Sequence, residues 1–217
     1  MHRGYHSFAD LPGTLPVFPL TGVLLLPRAA LPLNVFEPRY LELVDDALRG
    51  NRLIGMIQPV ENEETVLRPK LSQVGCTGRI ISWRESDDNR YLITLAGLCR
   101  FKVKEEISTL SAYRQVACDF AAFAGDLAQG SEDGDFPRER LLSALKDYLA
   151  HRDMKADWKS VMTAPAESLV NALAMMCPFE PAEKQALLEA PSWPERVSTL
   201  VALLEISTTG QGPGTLN

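Results

Sequence analysis

The apolar residues of this chain change their period partway along it. Cys99-Arg100-Phe101-Lys102-Val103-Lys104 alternates apolar and basic at period two, placing Cys99, Phe101 and Val103 on one face of a strand and Arg100, Lys102 and Lys104 on the other. Beyond Asp135, Leu141, Leu142, Leu145, Tyr148 and Leu149 recur at the spacing of a helix. Two periods in two successive blocks constrain the chain to an α+β architecture, strands first and helices after.

Within the first block, Arg79–Trp83 and Tyr91–Leu95 flank the polar Glu85–Asn89, and Val116, Cys118 and Phe120 alternate with Ala117 and Asp119. Further strands are expected at Leu15–Phe18, Val23–Leu26 and Leu53–Gln58, enough for a small barrel or closed sheet. One helix interrupts them. Pro38 suits the first helical position after Glu37; Tyr40, Val44, Ala47 and Leu48 follow at helical spacing, and Gly50 supplies the stop. It is expected to cover one side of the barrel. The stretch between Phe123 and Asp135 is dominated by Gly, Asp and small residues and reads as a linker. Helices are then expected from near Pro137, from Pro165 to before Pro178, from Pro181, and from Ser192, which with Glu195 has the form of a capping box. The tail Gly210–Gly214 reads as disordered.

Composition bounds what this can be. With 46% apolar and 23% charged residues in 217, the chain is globular and large enough to hold a core without disulfides or metals. The apolar run from Leu11 to Pro27 is broken by Pro12, Gly13, Pro16, Pro19 and Gly22 and is too short to span a membrane. Cys76, Cys99, Cys118 and Cys177 form no C-x-x-C pair, so they read as reduced, buried thiols, which implies a cytoplasmic address. Residues 1–122 carry 14 basic and 14 acidic side chains and residues 123–217 carry 8 and 14, so neither half has the basic surplus that nucleic acid demands.

No catalytic constellation stands out. There is no phosphate loop, dinucleotide turn, H-E-x-x-H or G-x-S-x-G motif. His2 and His6 lie in the N-terminal tail, and His151 closes a predicted helix, where an imidazolium favours the dipole. The acidic run Glu61-Asn62-Glu63-Glu64 lacks the spacing and glycine of a calcium loop. Catalytic, cofactor-binding and metal-binding residues are therefore all read as none. The stripe Arg100, Lys102, Lys104, extended by Arg114, is the one feature that could attract an anion; a solvated sheet edge is the favoured reading. The proline-rich apolar segment from Leu15 to Phe36 exceeds what two short strands require, and any part lining a groove would accept extended polypeptide.

The run Leu15-Pro-Val-Phe-Pro-Leu-Thr-Gly-Val-Leu-Leu-Leu-Pro27, followed by Leu31-Pro-Leu-Asn-Val-Phe-Glu-Pro-Arg-Tyr40, resembles the N-terminal, substrate-binding domain of the ATP-dependent Lon proteases in a stand-alone bacterial form. Val74-Gly75-Cys76-Thr77-Gly78-Arg79-Ile80 and Gly97-Leu-Cys-Arg100-Phe101 resemble that family's glycine-containing strand and its G-x-x-R-F strand. The resemblance implies a PUA-like β-barrel over residues 14–122 and a C-terminal α-helical bundle over 135–207. It also implies a non-enzymatic module that binds unfolded or extended polypeptide, as an adaptor or quality-control accessory to an ATP-dependent protease. Lon's ATPase and Ser-Lys protease motifs are not found in these 217 residues. Phe18, Leu24, Leu26, Phe36, Arg39, Arg100 and Lys102 are the candidate partner-binding residues. For Arg39 an internal ion pair with Glu37 or Glu42 is favoured over a partner's carboxylate. Glu37 is expected to cap the helix or complement its charge, and Tyr40 to bury its ring and find a partner for its hydroxyl. The alternative is an RNA-binding PUA-like domain using the basic strand face.

Overall fold

Six strands between Thr14 and Asp119 form a sheet that closes on itself, because one of them is long enough to serve both ends. The computed structural model describes residues 5, 7–60, 68–128 and 136–209. His2, His6, the acidic run at 61–64, most of the expected linker and the glycine-rich tail lie outside the described residues. In chain order come β1 (Thr14–Pro19), β2 (Ala30–Val35), α1 (Pro38–Arg49), β3 (Leu53–Pro59), β4 (Leu71–Glu85), β5 (Tyr91–Ile107) and β6 (Arg114–Asp119). β1 runs parallel to β3 and antiparallel to β6, while β3–β4, β4–β5 and β5–β6 are antiparallel, so β1, β3, β4, β5 and β6 make a ring. At 17 residues, β5 pairs with β2 along its first half and with β6 along its second. The segments expected at Tyr91–Leu95 and Cys99–Lys104 are thus one strand. β2 lies outside the ring as an edge strand, where Pro32 withholds no ladder donor that a central strand would need.

A parallel β1–β3 pair requires a crossover, and β2 with α1 provides it. α1 starts at Pro38 and buries Tyr40, Leu43, Val44 and Ala47 against the barrel. Glu37 makes no side-chain cap; its carboxylate pairs with Arg39 at 2.8 Å instead. The Tyr40 ring stacks on Phe18 with centroids 4.0 Å apart, and its hydroxyl donates to the Pro19 carbonyl at 3.5 Å. The Tyr91 and Tyr113 hydroxyls donate 2.9 Å hydrogen bonds to Asp45 and Asp46, fastening the same helix to β5 and to the start of β6.

Val23–Leu26 is not a strand, contrary to expectation. Gly22, at φ +70°, turns the chain after β1, and Leu24, Leu25 and Leu26 sink into the core. They pass so close to the barrel wall that a Cβ on Gly97 would overlap the Leu26 carbonyl and one on Gly78 would come within 2.8 Å of Leu25. Burial of its side chains holds this segment where a ladder was expected; just past its end, 2.8 Å bonds from Arg28 N–H to Gly97 O and from Gly97 N–H to Ala29 O tie the chain to β5.

The helical part comprises α2 (Arg138–His151), α3 (Trp158–Thr163), α4 (Ala166–Met176), α5 (Pro181–Glu189) and α6 (Trp193–Thr209). Leu141, Leu145, Tyr148, Val170, Leu187, Leu200 and Leu204 join the apolar cluster that runs on into the barrel. α3 was not anticipated: none of its residues is buried, and Asp157 starts it by accepting the amides of Lys159 and Ser160. At Ser192 the hydroxyl bonds the Glu195 carboxylate at 2.7 Å and accepts its amide at 3.4 Å, whereas the reciprocal capping box forms at Glu180 and Glu183 of α5.

Candidate functional site

Hydrophobic residues are common on protein surfaces; a cluster of large ones, or a buried charge, is the informative observation. Two places on the barrel show one or the other, and a further apolar groove, with Met154 and Met176 on its rim, lies between α2, α3 and α4. The first lies where Ile80–Glu85 of β4 and Tyr91–Ala96 of β5 continue as a three-stranded ribbon with β2, in the register Leu33, Ile93, Trp83 across the strands. Val35, Ile80, Ile93 and Leu95 fill its inner face. A register shift between Ile80 and Ser82 leaves Ile81 58% exposed, with Trp83 at 51% and Phe36, just past β2, at 60%. Pro32, Leu33, Trp83 and Leu92 contribute to a shallow groove of about 490 Å³. Its aromatics are held in place: Trp83 meets Tyr91 edge-on at 6.1 Å, Tyr91 is anchored to Asp45, and the Arg90 guanidinium lies 5.5 Å from the Phe36 ring centroid. A sheet edge beside such side chains suits an extended chain, whose backbone adds a strand while its side chains find apolar surface.

The second feature is the junction of barrel and helices. A short 3-10 segment, Ala121–Leu127, folds back over β5 and buries Phe123 and Asp126. Asp126 accepts the Arg100 amide at 3.0 Å, its Nε at 2.8 Å and its Nη2 at 2.9 Å. Arg100 Nη1 donates to the carbonyls of Leu188 and Ala190 at 3.0 and 2.6 Å, and its guanidinium lies 4.4 Å from the Phe123 ring centroid. Other side chains cross the same boundary: Gln185 donates to the Val74 carbonyl at 3.1 Å, Lys184 to Gly22 at 2.9 Å and Asn171 to Pro27 at 3.1 Å. The start of the expected linker is therefore an ordered part of the core.

These two places decide where the seven candidates fall. Phe18, Leu24 and Leu26 are 5%, 2% and 0% exposed, so these three are core, whereas Phe36 and Pro32 of the same segment are exposed and Leu33 is half-buried. Arg39 is surface-exposed, paired with Glu37 and stacked over the Tyr40 ring at 4.6 Å. Arg100, expected on a solvated face, is 4% exposed because helix and 3-10 segment cover that stretch of β5; Lys102, two residues on along the strand, is exposed. Arg114 is occupied by Glu106 at 2.6 Å and the Pro69 carbonyl at 2.7 Å. The basic stripe thus shrinks to Lys102 and Lys104, and no contact here favours RNA. Trp83 and Ile81 were not among the candidates. Their signal is the pair Ile80-Ile81 followed by Trp83, which in a strand puts large apolar groups on both faces at once.

Nothing in either place assembles reaction chemistry. Among the described residues no group of three His, Cys, Asp or Glu side chains is close enough to hold a metal. All four cysteines are free and buried. Burial pushes the Cys99 and Cys118 thiols up to about 12 and Cys177 to about 11, far from a nucleophilic thiolate. No helix among the described residues is long and apolar enough to cross a membrane.

Known proteins share this fold. Residues 14–205 match the ATP-dependent protease La (LON) substrate-binding domain. A Lon protease of Desulfosudis oleivorans is 32% identical over 101 residues, 46% of this chain and 12% of that protein. Lon protease 2 of Thermus thermophilus is 25% identical over 201 residues, 90% of this chain and 24% of that protein, so the chain spans a quarter or less of these relatives. The solved Lon N-terminal domain protein from Xanthomonas campestris has the same fold at a TM-score of 0.59 and 24% identity, covering 87% of this chain and 97% of that one. The N-terminal domain of the Mycobacterium avium complex Lon protease gives 0.60 at 17% identity, covering 88% and 97%.

Proposed function

The chain belongs to the LON substrate-binding domain family, and from that premise we propose that it is a non-catalytic, cytoplasmic module that captures extended or unfolded polypeptide and works as an adaptor or accessory to an ATP-dependent protease. The observation that carries this reading is the exposure of Phe36, just past β2, and of Ile81 and Trp83 on β4, along the ribbon β2–β5–β4. An incoming segment meets the β2 edge with its backbone beside Phe36 and crosses the ribbon over β5, so that apolar side chains reach Trp83 on β4. Arg39, three residues after Phe36, flanks the approach; Lys102, exposed where β5 pairs with β6, offers a second, more distant contact, while Phe18, Leu24, Leu26 and Arg100 act from inside by holding barrel, crossover and helices in register. Barrel and bundle serve as two domains of one unit, the barrel presenting the edge and the bundle bracing the wall behind β5.

The test is fluorescence anisotropy of a labelled, permanently unfolded casein titrated with the full chain. Binding at tens of micromolar is expected, a range typical of weak recognition, with at least tenfold loss for Trp83→Ala and for Phe36→Ala. No binding at those concentrations sinks the reading.

A further inference from the structure

Beneath the junction described above, three guanidinium groups converge on one cavity of about 250 Å³. Arg28, Arg100 and Arg196 line it together with only two carboxylates, Asp126 and Glu167, which leaves one positive charge in excess. The carboxylates are already committed. Asp126 is saturated by Arg100, and Glu167 is paired with Arg28, whose Nη1 also donates to the Asp126 carbonyl at 2.6 Å.

Arg196 is the group left over. It is 3% exposed, its Nε donates to the Leu187 carbonyl at 3.1 Å, and its Nη2 has no hydrogen-bond partner in the protein. Burial first, and then the neighbouring Arg100 cation, lower its pKa to about 10, so it remains a cation at neutral pH. An unpaired buried guanidinium is costly unless a counter-charge joins it. The cavity also receives the start of α6, a 17-residue helix, at Ser192 and Trp193, where the positive end of the backbone dipole adds to the same field and is partly offset by the Glu195 carboxylate bonded to Ser192.

We infer that this cavity is an oxyanion site, in which one carboxylate or phosphate group is held by Arg196 Nη2 with support from Arg28 and the α6 N-terminus. It is separate from the β2 edge and stands or falls independently of polypeptide capture there. An anion bound at the point where barrel, 3-10 segment, α4 and α6 meet would stabilise the junction by mass action.

The experiment follows thermal unfolding of the full chain in chloride buffer and in inorganic phosphate or acetate at matched ionic strength. A rise of about 3 °C is expected at an oxyanion concentration ten times the dissociation constant. Arg196→Met is expected to melt no lower than the parent in chloride and to lose the rise. Should that variant fail to fold, Arg28→Gln serves, with affinity for phosphate weakened at least threefold by calorimetric titration. A short peptide that competes with phosphate as the free acid and not as the C-terminal amide assigns the site to chain carboxylates; phosphate binding without that competition assigns it to a free inorganic anion. A melting temperature that does not distinguish phosphate and acetate from chloride, or an undiminished rise in Arg196→Met, overturns the inference.

Discussion

Trp83 and Arg100 stand on adjacent strands of one barrel in opposite environments: the indole is half exposed at the end of β4, and the guanidinium is buried where helices cover β5. Neither position follows from residue type. What separates them is the covering layer, since the 3-10 segment and the end of α5 close over the middle of β5, whereas the ribbon formed with β2 buries one face and leaves Phe36, Ile81 and Trp83 exposed. This barrel has one braced side and one bare side, and the surface proposed to meet polypeptide lies on the bare one.

The braced side gives the largest expected effect. Arg100→Met leaves Asp126 buried without its cation, and a loss of about 3–5 kcal/mol is expected in denaturant unfolding. The double variant Arg100→Met with Asp126→Leu should recover part of that loss; if it is no better than the single one, packing and not charge holds the junction. Next comes Gly97→Ala, whose methyl has no room beside the Leu26 carbonyl; about 2 kcal/mol of destabilisation is expected by the same measurement. A neutral result there would return Leu24–Leu26 to the candidate surface.

On the bare side the sign of the comparison reverses. Trp83→Ala should cost about 1.4 kcal/mol or more of polypeptide binding while changing stability by roughly 0.5 kcal/mol or less. A stability loss as large as that of Arg100→Met would mean that Trp83 is core. The smallest effect is electrostatic. The hydrogen bond from Arg114 holds the Glu106 carboxyl below its ordinary value, so its contribution is complete above the unfolded pKa of about 4.3 and is lost as pH falls through the lowered folded value. Because Glu106 is about a third exposed, Glu106→Gln should flatten the acid limb of the stability profile by roughly 0.5 kcal/mol at most.

Much of this was legible in the sequence, for identifiable reasons. Period-two alternation around Phe101 and prolines before α1, α4 and α5 are local signals, and local rules placed those elements. The burial of Arg100 depends on Asp126 and on carbonyls some 90 positions away, so alternation alone put it on a solvated face. Leu24–Leu26 misled for a related reason: apolar content predicts burial, and it says nothing about whether a strand ladder or glycine-lined wall provides it. At the candidate site Phe36 was visible because it sits at the end of an apolar run, whereas Trp83 required knowing which side of β4 is left uncovered.

Hydrogen exchange of the full chain, with and without an excess of unfolded casein, tests the central claim most directly because it reports both sides of the barrel together. Slowed exchange confined to peptides spanning residues 30–36 and 80–95, with the helical part unchanged, is the predicted result. Protection confined to the helical part, or none at saturating casein, would contradict the assignment of the β2 edge as the surface that meets polypeptide.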